Sequence, residues 1–309
     1  MQKKFLVTGG AGNVGSEIAS KIASYPENFV VIVDNLLTGS TTKIPYSPHD
    51  NIKFIKADVN DFNDIASVFF AYRFDYVFHY AAVVGVKRTL ENPIKVLHDV
   101  EGIKNVLNLC KNTGVKRVFY SSSSEVYGEP VEFPQNEHTT PLNSKLPYAI
   151  VKNIGEAYMK SYHREYGLDY TIFRFFNTYG PNQSTDFVIK KFIIAALDNK
   201  DITIYGDGKQ TRTFCYVSDN IDACYNAYQN SLFVTEVVNI GNDNETSVLD
   251  LARLIIKITG SQSKIVHLPA LEEGDMTRRL PDISNMKKLL GRDLITLETG
   301  IQKIIQSIK

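Results

Sequence analysis

Tyr148 and Lys152 stand four residues apart in a segment of helical periodicity, which puts a phenol and an ammonium on one face of a helix. A phenolate can take the proton of a hydroxyl group. A phenol ordinarily ionises near pH ~10, so work at neutral pH needs roughly 4 kcal/mol of stabilisation from nearby cations. Upstream runs Tyr120-Ser121-Ser122-Ser123-Ser124-Glu125-Val126-Tyr127-Gly128. Its hydroxyls, leaving a strand, could share a hydrogen bond with a reacting oxygen and the phenol; they could equally satisfy a local turn. Tyr205 and Lys209 repeat the spacing but straddle Gly206-Asp207-Gly208, where helical geometry does not apply.

The second chemical feature is Gly9, Gly12 and Gly15, between the apolar run Phe5-Leu6-Val7 and a helical segment through Ile18 and Ile22. Such glycines allow a tight turn, a close approach to a pyrophosphate, and packing of helix on strand. The helix start, with Asn13 and Val14, presents N–H groups and a positive dipole end to phosphates. A strand from Phe29 to Val33 then ends in Asp34, about 20 residues beyond the turn, where an acid holds a ribose diol and repels a 2′-phosphate. The pocket is expected to take NAD in preference to NADP, and a nicotinamide cation would join Lys152 in favouring the Tyr148 phenolate.

These residues need a scaffold, and strand and helix signals alternate to supply one. Strands are expected at 52–57, 75–79, 116–120 and 170–176, helices from Pro93 to Cys110 and over 146–166, and a loop over 35–50. The alternation predicts an α/β fold: a doubly wound parallel (Rossmann) sheet with ligands at the carboxyl ends of its strands. Residues 1–177 are read as this domain. Residues 178–309, punctuated by Gly180-Pro181, Gly206-Asp207-Gly208 and Gly274-Asp275, are read mostly as a smaller α/β substrate-binding domain, although part of the later chain can return to the sheet.

Composition narrows the class. The 309 residues carry 34 Lys plus Arg and 34 Asp plus Glu, so no net field draws nucleic acid or an anionic membrane. Cys110, Cys215 and Cys224 lack ligand or disulfide spacing, and the six histidines are scattered, so no metal is expected. No apolar run reaches the length of a membrane span or signal peptide, and the reading is a cytoplasmic enzyme.

Together the motifs make the chain resemble extended short-chain dehydrogenases/reductases of the NAD-dependent nucleotide-sugar epimerase/dehydratase group over essentially its whole length. The likeness rests on Thr8-Gly9-Gly10-Ala11-Gly12-x-x-Gly15, Asp34-Asn35-Leu36, Asp58-Val59, His79-Tyr80-Ala81-Ala82 and Glu91-Asn92-Pro93. It continues through Ser123-Ser124-Glu125-Val126-Tyr127-Gly128, Tyr148-x-x-x-Lys152, Arg174-Phe175-Phe176-Asn177, Gln210-Thr211-Arg212 and Tyr216-Val217-Ser218-Asp219. The resemblance implies that Asn35 joins Asp34 at the cofactor, that Asp58 and Val59 face the adenine, and that Ala81 and Ala82 line the cofactor cleft. It also implies that Ser123 is the catalytic hydroxyl and that Asn177 and Arg212 contact the diphosphate of a UDP- or GDP-sugar. An isologous homodimer, with helices at about 92–112 and 146–166 forming a four-helix bundle, is implied likewise.

The chain departs from that pattern at Asp99, where many such proteins have Asn. Glu125 matches 4,6-dehydratases and UDP-glucuronate decarboxylases, and Arg279 matches an active-site Arg of the decarboxylases. Ala149-Ile150-Val151 differs from the decarboxylases' Asp-Glu-Gly, and Ser124 replaces the dehydratases' Asp. The expected reaction is oxidation of C4 of a nucleotide-bound hexose. Epimerisation is the favoured outcome, with decarboxylation, dehydration or net C4 dehydrogenation as alternatives. A non-catalytic NAD-sensing protein would lack the Tyr, Lys or Ser; all three are present.

Overall fold

A computed structural model describes residues 2–269 and 278–308; the expected turn at Gly274-Asp275 lies outside them. Six strands, β1 (Lys3–Thr8), β2 (Asn28–Asp34), β3 (Ile52–Lys56), β4 (Tyr76–His79), β5 (Arg117–Ser123) and β6 (Asp169–Phe175), build most of the main sheet. Short strands follow: β7 (Thr178–Tyr179), β8 (Ile202–Tyr205), β9 (Thr211–Thr213), β10 (Cys215–Tyr216), β11 (Glu236–Ile240), β12 (Glu245–Ser247) and β13 (Ile265–Leu268). The helices are α1 (Asn13–Ala23), α2 (Phe62–Tyr72), α3 (Val86–Glu91), α4 (Pro93–Leu97), α5 (Asp99–Thr113), α6 (Pro147–Tyr166), α7 (Val188–Leu197), α8 (Val217–Gln229), α9 (Val248–Thr259), α10 (Ser284–Leu290) and α11 (Leu297–Ile308).

The main sheet has seven strands in the order β3-β2-β1-β4-β5-β6-β11, every pair parallel. Strand order reverses between β1 and β4, which opens a crevice at their carboxyl ends. Because side chains alternate along a strand, each strand feeds two cores. Phe5, Val7, Val30, Ile32, Phe78 and Phe119 pack on one face, with α1 and α8. Leu6, Val31, Val33, Val77 and Val118 pack on the other, with residues of α2, α5 and α6. The first core runs on without a break into the later chain, to Phe192 of α7, Leu251 of α9 and Ile304 of α11. The chain after residue 177 thus gives the sheet its edge strand β11 and covers α1 with α8.

Two local outcomes differ from the periodicity. β5 does not stop at Tyr120: Ser121, Ser122 and Ser123 pair with Phe173, Arg174 and Phe175 of β6. A neighbouring strand supplies the ladder that serines would otherwise seek in a turn. The helix expected from Pro93 is two pieces broken at His98, with Pro93 at the first position of α4 and Asp99 opening α5.

Candidate active site

The glycine turn is held by close packing. Gly9 adopts φ +67°, and a Cβ there would come within 2.7 Å of the Ala81 backbone nitrogen; one on Gly15 would meet the Gly9 carbonyl oxygen. Gly12 precedes α1 and offers no side-chain cap, so the N–H groups of Asn13, Val14 and Gly15 find no partner within the helix. The Asn13 amide oxygen is buried without a hydrogen bond. This donor-rich concavity fits a dinucleotide diphosphate.

Around it, the buried Asp34 carboxylate accepts from the backbone N–H groups of Ala11 (3.0 Å) and Leu36 (2.8 Å). Asn35 donates to Asp58 at 3.0 Å, and Val59 beside it is buried. Ala81, half-buried, donates its N–H to the Thr8 hydroxyl at 3.2 Å, and Ala82 follows it, also half-buried. That hydroxyl also accepts from Tyr80 N–H, which leaves its own proton for Nδ1 of His79, 2.8 Å away. His79 therefore carries its ring proton on Nε2. Burial, aided by the Lys152 charge, pushes its pKa down to about 3, and the ring is neutral.

At the ends of β5 and the start of α6, Ser123, Tyr148 and Lys152 come together. The Ser123 hydroxyl lies within hydrogen-bond reach of the Tyr148 phenol and also accepts the Glu125 N–H at 3.2 Å. The local-turn reading of the serine run is met by the bond to Glu125, and the same side chain faces the phenol. Lys152 donates to the Ser121 carbonyl at 2.7 Å, and its Nζ lies 5.8 Å from the Tyr148 ring centroid. Burial lowers its pKa to about 8, opposed by Asp99. The expected depression of Tyr148 is not a property of the chain alone. Burial pushes the phenol well above its ordinary value; Ser123 and Arg279 oppose this, while Glu125 and Asp99 add to it. Of the two cations in the sequence argument only Lys152 belongs to the protein, and it is turned toward Ser121.

The structure joins Glu125 to Arg279 through an ion pair of 2.7 Å, with Arg279 also 3.3 Å from the Ser124 hydroxyl. Arg279 is 6% exposed. Its segment is fixed by Gln135, whose N–H donates to the Leu280 carbonyl (2.7 Å) and whose carbonyl accepts from Asp282 N–H (2.8 Å). Asn177, at φ 37°, donates to the Thr213 carbonyl at 3.0 Å and so holds the strand that carries Arg212.

Glu156 escaped the sequence reading as a site element, and Asp99 entered it only as a departure from the family pattern. Glu156, one turn beyond Lys152 on α6, accepts from Ser122 (2.6 Å) and from Arg174 through both oxygens (2.9 and 2.7 Å). Arg174 extends to Tyr127 at 2.8 Å, so a buried network runs under the Ser-Ser-Glu-Val-Tyr-Gly stretch. The Lys152 to Glu156 spacing was the available signal. Asp99, whose pKa burial raises, accepts from Val83 N–H at 2.7 Å, beside the cofactor loop.

Residues 5–241 match the model of the NAD dependent epimerase/dehydratase family. A UDP-N-acetyl-alpha-D-glucosaminuronate decarboxylase of Bacillus cytotoxicus is 36% identical over 322 residues, covering 99% of this chain and 98% of that one. The Thermotoga maritima UDP-glucose 4-epimerase, solved with UDP-glucose, superposes with a TM-score of 0.92 at 32% identity, covering 99% and 98% of the two chains. A dTDP-glucose 4,6-dehydratase of Streptomyces venezuelae, solved with NAD, gives a TM-score of 0.89 at 26% identity over 98% and 96%. No helix among the described residues is long and apolar enough to cross a membrane. This chain, an NAD-dependent enzyme of nucleotide sugars, belongs to the NAD dependent epimerase/dehydratase family.

Proposed function

We propose that this enzyme takes a UDP-linked hexuronate, oxidises its C4 hydroxyl, and lets the resulting 4-ketone lose C6 as carbon dioxide. The observation that carries the choice is the Glu125–Arg279 pair beside Ser123 and Tyr148, a buried guanidinium answered by a half-buried carboxylate. Burying two charges costs several kcal/mol each before their attraction offsets it. Chemistry confined to C4 asks for no such pair, whereas a C6 carboxylate asks for a cation to seat it. The Bacillus relative, a decarboxylase of a UDP-linked uronate, agrees with this reading.

In this reading Gly9, Gly12, Asn13, Val14 and Gly15 hold the NAD diphosphate, Asp34 and Asn35 the ribose, Asp58 and Val59 the adenine, and Ala81 and Ala82 the cleft wall. When bound, NAD would accept the C4 hydride and return it after C6 has left, and its cation would favour the Tyr148 phenolate. Tyr148 takes the O4 proton, Ser123 donates to the same oxygen, and Lys152 orients the nicotinamide ribose. With C4 a ketone, the C5–C6 bond breaks as C6 leaves as carbon dioxide; its electrons pass to the C4 oxygen, where the Ser123 and Tyr148 hydroxyls stabilise the enolate. A proton on C5, the hydride back on C4 and the Tyr148 proton back on O4 complete the UDP-pentose. Arg279 seats the departing carboxylate and Glu125 holds Arg279. Asn177 and Arg212 grip the diphosphate of the substrate, on the side built mostly by residues 178–309.

A second reading, 4-epimerisation of a UDP-hexose, is favoured by the charge balance of the same pair: Glu125 already answers Arg279 at 2.7 Å. Incubation with UDP-glucuronate, UDP-N-acetylglucosaminuronate, UDP-glucose and UDP-N-acetylglucosamine, with GDP- and dTDP-sugars as controls, decides between them. Carbon dioxide with a UDP-pentose supports the first; a C4 epimer with C6 retained replaces it with the second.

A homodimer through α4, α5 and α6 belongs to the same reading. Leu90, Ile94, Leu97 and Ile150 leave apolar surface exposed there, Ile94 by 77%. Ile94→Glu is expected to yield monomers by light scattering, and a monomeric wild type at micromolar concentration rejects the dimer.

A further inference from the structure

Arg278 and Arg279 are neighbours that face different acids. Arg279 reaches inward to Glu125, while Arg278 forks onto Glu245, Nε to Oε1 at 2.8 Å and Nη2 to Oε2 at 2.6 Å. The Arg278 guanidinium also lies 4.5 Å from the ring centroid of Phe133, in the loop that follows Gly128. Oε1 of Glu245 accepts a further bond from the Thr211 hydroxyl at 2.8 Å. Glu245 opens β12, which pairs antiparallel with β9 so that Thr246 stands opposite Arg212 and Glu245 opposite Thr213. One carboxylate thus ties the segment that carries Arg279 to the strand that carries Arg212. A two-pronged arginine–carboxylate contact fixes rotation as well as distance, unlike a single-contact surface pair.

We propose that Glu245 is a positioning residue that sets the separation between Arg212 and Arg279, and with it the span of sugar nucleotide the cleft accepts. The inference rests on the reading above, in which Arg212 meets the diphosphate and Arg279 the C6 end of the sugar. A ligand that touches only one of the two arginines is indifferent to their separation; a ligand that touches both is not. Loss of Glu245 therefore acts on the intact sugar nucleotide and spares UDP.

The test measures kcat and KM for the UDP-sugar that the wild type converts, and UDP affinity by calorimetry, in Glu245→Gln, Arg278→Gln and the double variant. Thermal midpoint and NAD content serve as controls for folding. Each single change is expected to lower kcat/KM about tenfold, mainly through KM, while UDP affinity stays within about threefold. The double variant should match either single one, because the two side chains act as a unit. Three results overturn the inference: kcat/KM within twofold of wild type for both single variants, equal weakening of UDP and UDP-sugar, or additive losses. A wild type that binds no UDP overturns the reading of the cleft and this inference together. A wild type that converts a UDP-sugar, with both single variants unaffected, overturns the inference alone.

Discussion

The two sides of the cleft are positioned by different means. On the cofactor side, Thr8, Asp34, His79 and Ser123 are the last residues of β1, β2, β4 and β5, and Tyr148 and Lys152 ride one helix. Backbone ladders set their places, and their side chains are left to do chemistry. On the substrate side, Arg279 and Arg278 sit in an extended segment outside the strands and helices. Glu125, Glu245 and Gln135, from distant parts of the chain, set their places through an ion pair, a two-pronged side-chain fork and two backbone bonds. On the proposed roles, removing Tyr148 or Ser123 from the first group is expected to take away a chemical step and leave the frame. A side chain removed from the second group is expected to move its neighbours.

The sharpest test of the first half of that contrast is Tyr148→Phe. Turnover should fall by about two to four orders of magnitude, the usual worth of a general acid–base group. NAD content and thermal midpoint should stay near wild type, and turnover within a few-fold would place the proton transfer elsewhere. Arg174→Met probes the opposite extreme, a residue whose loss strands the buried Glu156. Breaking such a pair costs about 3–5 kcal/mol, read from urea unfolding. A loss below 1 kcal/mol would show that the network under the serine run is not a structural support.

Glu125→Gln sharpens the comparison on the substrate side. If the pair with Arg279 seats a C6 carboxylate, decarboxylation should drop about a hundredfold, close to 3 kcal/mol of barrier. Activity within tenfold, measured on the converted UDP-sugar, favours the epimerase reading. The smallest effect concerns pH and returns to the cofactor side. His79 is neutral in the fold, with its pKa moved from 6.5 to about 3, so between those values the unfolded chain holds the extra proton. Its contribution to stability is complete above pH 6.5 and is lost as pH falls toward 3, by up to about 1.4 kcal/mol per pH unit. His79→Gln should flatten the urea midpoint between pH 7 and 4.5; an unchanged slope would mean that His79 protonates in the fold.

Legibility followed the same divide. The glycine turn, Asp34 and the Tyr148–Lys152 helix are local patterns, and each could be placed because strand, turn and helix periods are written in consecutive residues. Ser121 to Ser123 looked like a turn because nothing local announces that Arg174 and Phe175 will pair with them. Arg279 could be named as a site residue only through the resemblance, because nothing in its flanking residues announces that the fold brings Glu125 and Ser124 to it. The direction of the Tyr148 pKa also escaped, since burial is a property of what packs from other elements.

From its residues alone, this chain determined a parallel sheet, a dinucleotide turn and a phenol–ammonium pair, because hydrogen-bonding periods and glycine sterics act over a few neighbours. Only the tertiary structure decided that Arg279 meets Glu125 and that Glu245 joins Arg278 to the strand of Arg212. It also decided that the later chain shares the core of the sheet instead of standing apart. Those outcomes depend on which charges and which apolar faces are brought together. That is settled when distant segments close on one another, and no spacing along the chain encodes it.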